Sequence, residues 1–115
     1  METFSLENHF ENNEAIVKDI YSKLLSSLKT FGAVHEAPKK TSIHLDNANG
    51  FAGVYTRKSY ILLNFRLNHK VEHPRISKIE QQSTRRFMHT VKLQSENEID
   101  EELMAWLKEA YDLAG

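Results

Sequence analysis

The chain has 115 residues, no cysteine, 40% hydrophobic and 27% charged residues, and a net charge of −1. That is one ordinary domain of globular rather than disordered composition, long enough to build a core without metal or disulfide staples. Without cysteine, disulfides, thiolate metal sites and cysteine nucleophiles are excluded.

The opening METFSLENHFENNEAIVKDIY lacks the basic start and apolar core of a signal peptide. No apolar run approaches the ~20 residues that span a bilayer, so a cytoplasmic protein without membrane contact is expected. Residues 1–12 read as a peripheral segment of a single domain spanning 1–115, with a short helical turn anchored by Phe4, Leu6 and Phe10. The first long element starts near Asn12 or Asn13, either of which suits a helix cap. Val17, Ile20, Tyr21, Leu24, Leu25 and Leu28 then recur at spacings of three and four, one apolar stripe of a helix that Gly32 stops.

From Ala33 the period shortens. AVHE predicts a short edge strand ended by Pro38, which has no N–H for a ladder. In TSIHL, Thr41, Ile43 and Leu45 share one face, and Ser42 and His44 the other. DNANG reads as a turn, FAGVYT as a strand, RK as a tight connection. In SYILLNFRL, Ile61, Leu63, Phe65 and Leu67 form an inward row, while Leu62, Asn64 and Arg66 point away. NHKVEHP is a loop; ISKIEQQ and FMHTVKL are two further strands joined by STRR. The last element is a helix capped by Ser95 or Asp100, with Leu103, Trp106, Leu107, Ala110 and Leu113 as its stripe.

The fold class expected is therefore α+β: an antiparallel meander of about five to six strands, with an N-terminal and a C-terminal helix on one face. The other face is left open, as antiparallel sheets permit, carrying Ser42, His44, Asn64, Arg66, Lys78 and Lys92. Residues 35–93 hold eleven Lys or Arg against four acids, whereas residues 94–115 hold one Lys against seven. Such asymmetry points to a basic sheet surface that attracts anions, or to basic strands and acidic helices neutralising one another.

PKKTSIHL, FAGVYTRKSYILLNF, HPRISKIEQQS, HTVKL and the closing DEELMAWLKEAYDLAG, in that order and spacing, resemble the bacterial family called domain of unknown function 5655 over about residues 14–115. The resemblance implies an α+β fold and carries no substrate, cofactor or catalytic residue. Where that pattern has proline in VYPRK, this chain has Thr56, which leaves the connection between strands less rigid.

The basic residues lie at strand starts and turns. If Lys39, Lys40, Arg57 and Lys58 converge, with Ser42 and His44 beside them and Tyr55 as a stacking surface, they make a phosphate or carboxylate site. Basic turns also discourage strand-to-strand aggregation, which is the plainer reading. His89 shares a face with Phe87, Val91 and Leu93; it reads as a structural histidine at the core boundary, or as a ligand or acid–base group near Arg86. His69 and His73 have metal-ligand spacing only on a helix, and Pro74 argues for a loop, so no metal or cofactor is expected. No carboxylate pair or Ser–His–Asp set is legible. Tyr55 and Tyr60 flank Arg57 and Lys58, a weak single-strand nucleic-acid signal.

The leading expectation is a non-enzymatic binding module for an anionic small molecule or phosphate-bearing partner. An enzyme with a His general base and an Arg anion stabiliser, and a module docking nucleic acid or an acidic protein, are the alternatives. A homodimer joining an acidic helix to a basic sheet is a further expectation.

Overall fold

The computed structural model describes residues 5–115. In chain order these form a 3-10 turn Glu7–His9, helix α1 Ala15–Leu28, six strands, a 3-10 turn Glu96–Glu98 and helix α2 Glu101–Leu113. The strands are β1 His35–Pro38, β2 Ile43–Asp46, β3 Gly50–Thr56, β4 Ile61–Leu67, β5 Ile76–Ser83 and β6 Arg86–Leu93. All neighbours pair antiparallel in one sheet of order β1-β2-β3-β4-β6-β5. The α+β class and the flanking helices are as the sequence predicts.

The meander is simple through β4, and the last hairpin is then placed second strand first. Ile61 pairs with Leu93 and Ile76 with Val91, so β4 and β5 begin at the same end of the sheet. Residues 68–75 must therefore run back along the sheet's length before β5 starts. The physical reason lies in the strands' faces. β6 buries Phe87, His89, Val91 and Leu93, whereas β5 has no buried residue. The more apolar strand takes the interior slot and the polar one the edge.

Both helices cover one side of the sheet. α1 buries Val17, Ile20, Tyr21, Leu24 and Leu28; α2 buries Leu103, Leu107, Ala110 and Tyr111. They meet the inward rows Ile43, Leu45, Val54, Ile61, Leu63, Phe65, Val91 and Leu93 in one continuous core. Each such side chain contributes ~1.5–3 kcal/mol by leaving water. Gly32, at φ +147°, ends the α1 region where a Cβ would come within 2.6 Å of the Tyr111 hydroxyl. There only glycine fits, for both conformation and space.

The caps refine the sequence reading. The N-cap of α1 is Glu14 rather than an asparagine: Asn13 Nδ2 donates to the His9 carbonyl at 2.7 Å, and the Glu14 N–H donates to the Lys58 carbonyl. Asp100 caps α2 by accepting from the Leu103 N–H at 3.0 Å. Leu6 and Phe10 pack on the core as expected. Phe4 lies outside the described residues. The N-terminal segment is less peripheral than its composition suggests, since His9 is buried and its Nε2 lies 2.8 Å from the Lys39 carbonyl.

Candidate functional site

Three cross-strand rows define the side of the sheet away from the helices. Tyr55, Leu62 and Lys92 face one another across β3, β4 and β6. The next row runs Ala37, His44, Gly53, Asn64, Thr90, Lys78 across all six strands. The third holds Arg66, Met88 and Glu80. No helix covers these rows. His44, Lys78, Lys92 and Glu80 are exposed; Tyr55, Leu62, Asn64, Arg66, Met88 and Thr90 are half-buried by their neighbours. At the centre Gly53 leaves room for the Asn64 side chain, whose Oδ1 lies 2.7 Å from where a Cβ would stand.

One end of this face concentrates cations and aromatic rings. The β1–β2 and β3–β4 turns emerge at the same end, because alternate turns of a meander share an end. Lys39, Lys40, Arg57 and Lys58 are therefore brought to one end, and all four are exposed. The Arg57 guanidinium carbon lies 6.0 Å from the Tyr55 ring centre, and Lys92 Nζ lies 4.3 Å above the Tyr60 ring. Among the described residues none of Lys39, Lys40, Arg57, Lys58 and Lys92 is in an ion pair. Two tyrosines thus carry a cation each over an uncovered face, with further lysines at the rim. The patch is open rather than concave. It can offer charge-assisted hydrogen bonds and a flat stacking surface, but it has no walls to exclude water.

Two residues selected from the sequence lie apart from this patch. Ser42 sits in the β1–β2 turn and is buried, 3% exposed, so its hydroxyl is not presented on the open face. The alternation that puts Ser42 outward breaks because β2 starts only at Ile43. His89 is fully buried on the opposite, helix-covered face. Its Nδ1 donates to the Phe87 carbonyl at 3.1 Å, and its Nε2 accepts from the Val71 N–H at 2.9 Å. Burial holds its pKa below the ordinary imidazole value. The ring stacks on Phe65 at 5.4 Å. With both nitrogens bonded to backbone, the ring ties β6 to Val71 of the segment between β4 and β5.

Arg85 and Arg86 lie at the other end, where β5 turns into β6, so they join neither His89 nor the Lys39–Arg57 group. His69 and His73 fall on the crossing segment, where they meet separate glutamates: Glu109 at 2.6 Å and Glu102 at 3.1 Å. Glu36, one of the few acids of the basic middle segment, faces the helices and accepts from the Tyr21 hydroxyl at 2.6 Å. Burial, then the Glu36 carboxylate, raises the Tyr21 pKa well above the ordinary phenol value.

Sequence reasoning placed Lys92 on the open face and Tyr60 beside Arg57 and Lys58, but did not bring the two together. The signal was present in the alternation of FMHTVKL, which puts Lys92 outward, but its neighbour β4 was legible only from the strand order. Among the described residues no helix is long and apolar enough to cross a membrane. No curated protein and no solved structure matches the chain. The family described as Domain of unknown function (DUF5655) matches residues 6–114, which with the helix–sheet–helix order already established places the chain in that family.

Proposed function

We propose that this domain is a non-enzymatic binding module that takes a phosphate-bearing partner on the uncovered sheet face. The observation that carries the reading is the pairing of Tyr55 with Arg57 and of Tyr60 with Lys92, beside Lys39, Lys40 and Lys58, which form no ion pair among the described residues. Arginine and lysine meet phosphate oxygens, the half-buried Tyr55 offers its ring to a planar group, and His44 adds a hydrogen-bonding edge one row away. An open sheet with half-buried floor residues fits binding better than chemistry, because general acid–base catalysis needs a positioned base in a site that excludes water. The cysteine-free composition fits a reducing compartment, so a cytoplasmic phosphate ester is the partner class we favour.

Adenosine monophosphate is a suitable probe, having one phosphate and one flat base. Arg57→Gln with Lys58→Gln should weaken its binding about tenfold, as the loss of one or two charge-assisted contacts implies, while leaving the melting temperature nearly unchanged. Equal binding by the double variant would remove this pair from the site. Tight, steeply salt-dependent binding of single-stranded oligonucleotides with none of the monophosphate would move the assignment to nucleic acid.

A further inference from the structure

The opposite end of the sheet holds a second cationic feature that the reading above does not use. A cleft of about 200 Å³ opens where the ends of β3, β4 and β6 meet the C-terminal turn of α2. Arg66, Arg85 and Arg86 line it together with Asn49 and Asn68. Leu67, Ala110 and Leu113 supply apolar wall, and Leu113 is the one large hydrophobic side chain among the described residues that is strongly exposed, at 49%.

Arginines beside a helix C-terminus have an ordinary explanation, since cations there satisfy the last carbonyls and the negative end of the dipole. Here that role is already filled. Asn47 Nδ2 donates to the Tyr111 carbonyl at 3.0 Å, and the Asn49 N–H donates to the Ala114 carbonyl at 2.8 Å. Neither Arg66, Arg85 nor Arg86 is in an ion pair among the described residues. Arg66 Nε is buried with no hydrogen-bond partner, the one such side-chain atom among them. A buried, unsatisfied donor on a charged group costs several kcal/mol unless something accepts from it. Three guanidinium groups lining one cleft, none of them paired with a carboxylate among the described residues, describe a receptor for an oxyanion.

We propose that this cleft binds the phosphate group of a small phosphomonoester, with a short apolar body against Leu113 and Ala110. Three arginines suit a dianion better than a carboxylate, because the fork geometry allows two parallel hydrogen bonds per guanidinium and the charges nearly balance. The volume lies below the ~300–1,000 Å³ of drug-sized pockets, so the ligand is compact. The site is separate from the Tyr55–Arg57 patch and stands or falls independently of it.

Phenyl phosphate, inorganic phosphate and benzoate, titrated into the full chain while the Arg66 Nε–H resonance is followed by NMR, test the proposal. Phenyl phosphate should shift that resonance saturably and bind more tightly than inorganic phosphate, which lacks the apolar body, and than benzoate, which lacks the second charge. Arg85→Gln with Arg86→Gln should weaken phenyl phosphate about tenfold or more, while Arg57→Gln with Lys58→Gln should leave it unchanged. Arg66→Lys keeps the charge and loses the fork, and should also weaken binding with little change in melting temperature. No saturable shift up to about 10 mM, ten times a weak ~1 mM Kd, overturns the proposal. So does phenyl phosphate binding that survives the Arg85/Arg86 double variant.

Discussion

His89 Nε2 accepts the backbone N–H of Val71 at 2.9 Å, a bond between a buried strand residue and the segment that crosses from β4 to β5. That segment has no ladder of its own, so its N–H groups need other partners. His89 supplies one from inside the core, Glu109 and Glu102 hold His69 and His73 from α2, and Arg75 donates to Asp100 at 2.8 Å and to the Glu98 carbonyl at 2.6 Å. The crossing chain is thereby strapped to the helix side of the sheet, and the other side stays open.

His89→Phe should preserve the stack on Phe65 but leave the Val71 N–H without its acceptor, at a cost of about 1–3 kcal/mol in chemical denaturation. The same residue makes stability fall in mild acid. Its folded pKa is lowered by burial, so below the unfolded value of ~6.5 the unfolded chain binds the extra proton and the folded chain does not. The contribution is complete above that value and is lost progressively as pH falls toward the folded pKa. Melting temperature measured from about pH 7.5 to pH 5.5 should drop more steeply for the native chain than for His89→Phe. Equal slopes would mean that His89 takes up its proton in the fold as readily as in the unfolded chain.

At the middle of the open face, Gly53→Ala sets a Cβ 2.7 Å from Asn64 Oδ1. Overpacking of this kind costs about 1 kcal/mol or more unless the neighbour moves. Combined with Asn64→Ala, the Gly53→Ala cost should vanish, because the obstructing amide is gone. A double-mutant cycle by urea denaturation reads the coupling; additive costs would show that Asn64 is not the obstacle.

Asp100 both caps α2 through the Leu103 N–H and pairs with Arg75. The Leu103 N–H, and then Arg75, hold its carboxyl below the ordinary range. A depressed acid stabilises above its unfolded pKa, ~3.9, and loses that contribution as pH falls through the folded value. Asp100→Ala should cost about 1 kcal/mol at neutral pH, the usual worth of an N-cap, and the difference from the native chain should shrink in strong acid. Trp106, the one tryptophan, stacks on Phe65 at 6.1 Å and gives a fluorescence readout for both experiments.

The helices and inward rows were legible in the sequence because each rests on a local period. Val17 to Leu28 and Leu103 to Ala110 repeat every three to four residues, and Ile61 to Leu67 alternate without a break. Strand order was not legible, since β5 and β6 differ in burial only when ISKIEQQS is compared with RFMHTVKL as competitors for one interior slot. The grouping of Lys39 with Arg57 follows from the meander, whereas the separation of Arg85 and Arg86 follows from the crossing segment, which has no periodic signature. Ser42 was placed outward by extending the β2 alternation one residue too far. The Arg66 cleft joins residues from three strand ends and a helix end, and no local pattern records that meeting.

Backbone chemical-shift mapping with adenosine monophosphate tests the central claim most directly. The account predicts shifts concentrated at Tyr55, Arg57, Lys58, Tyr60 and Lys92, with α1 and α2 silent apart from any shift at the Ala110–Leu113 turn. Shifts spread over the helices, or none at the two tyrosines at saturating nucleotide, would contradict it.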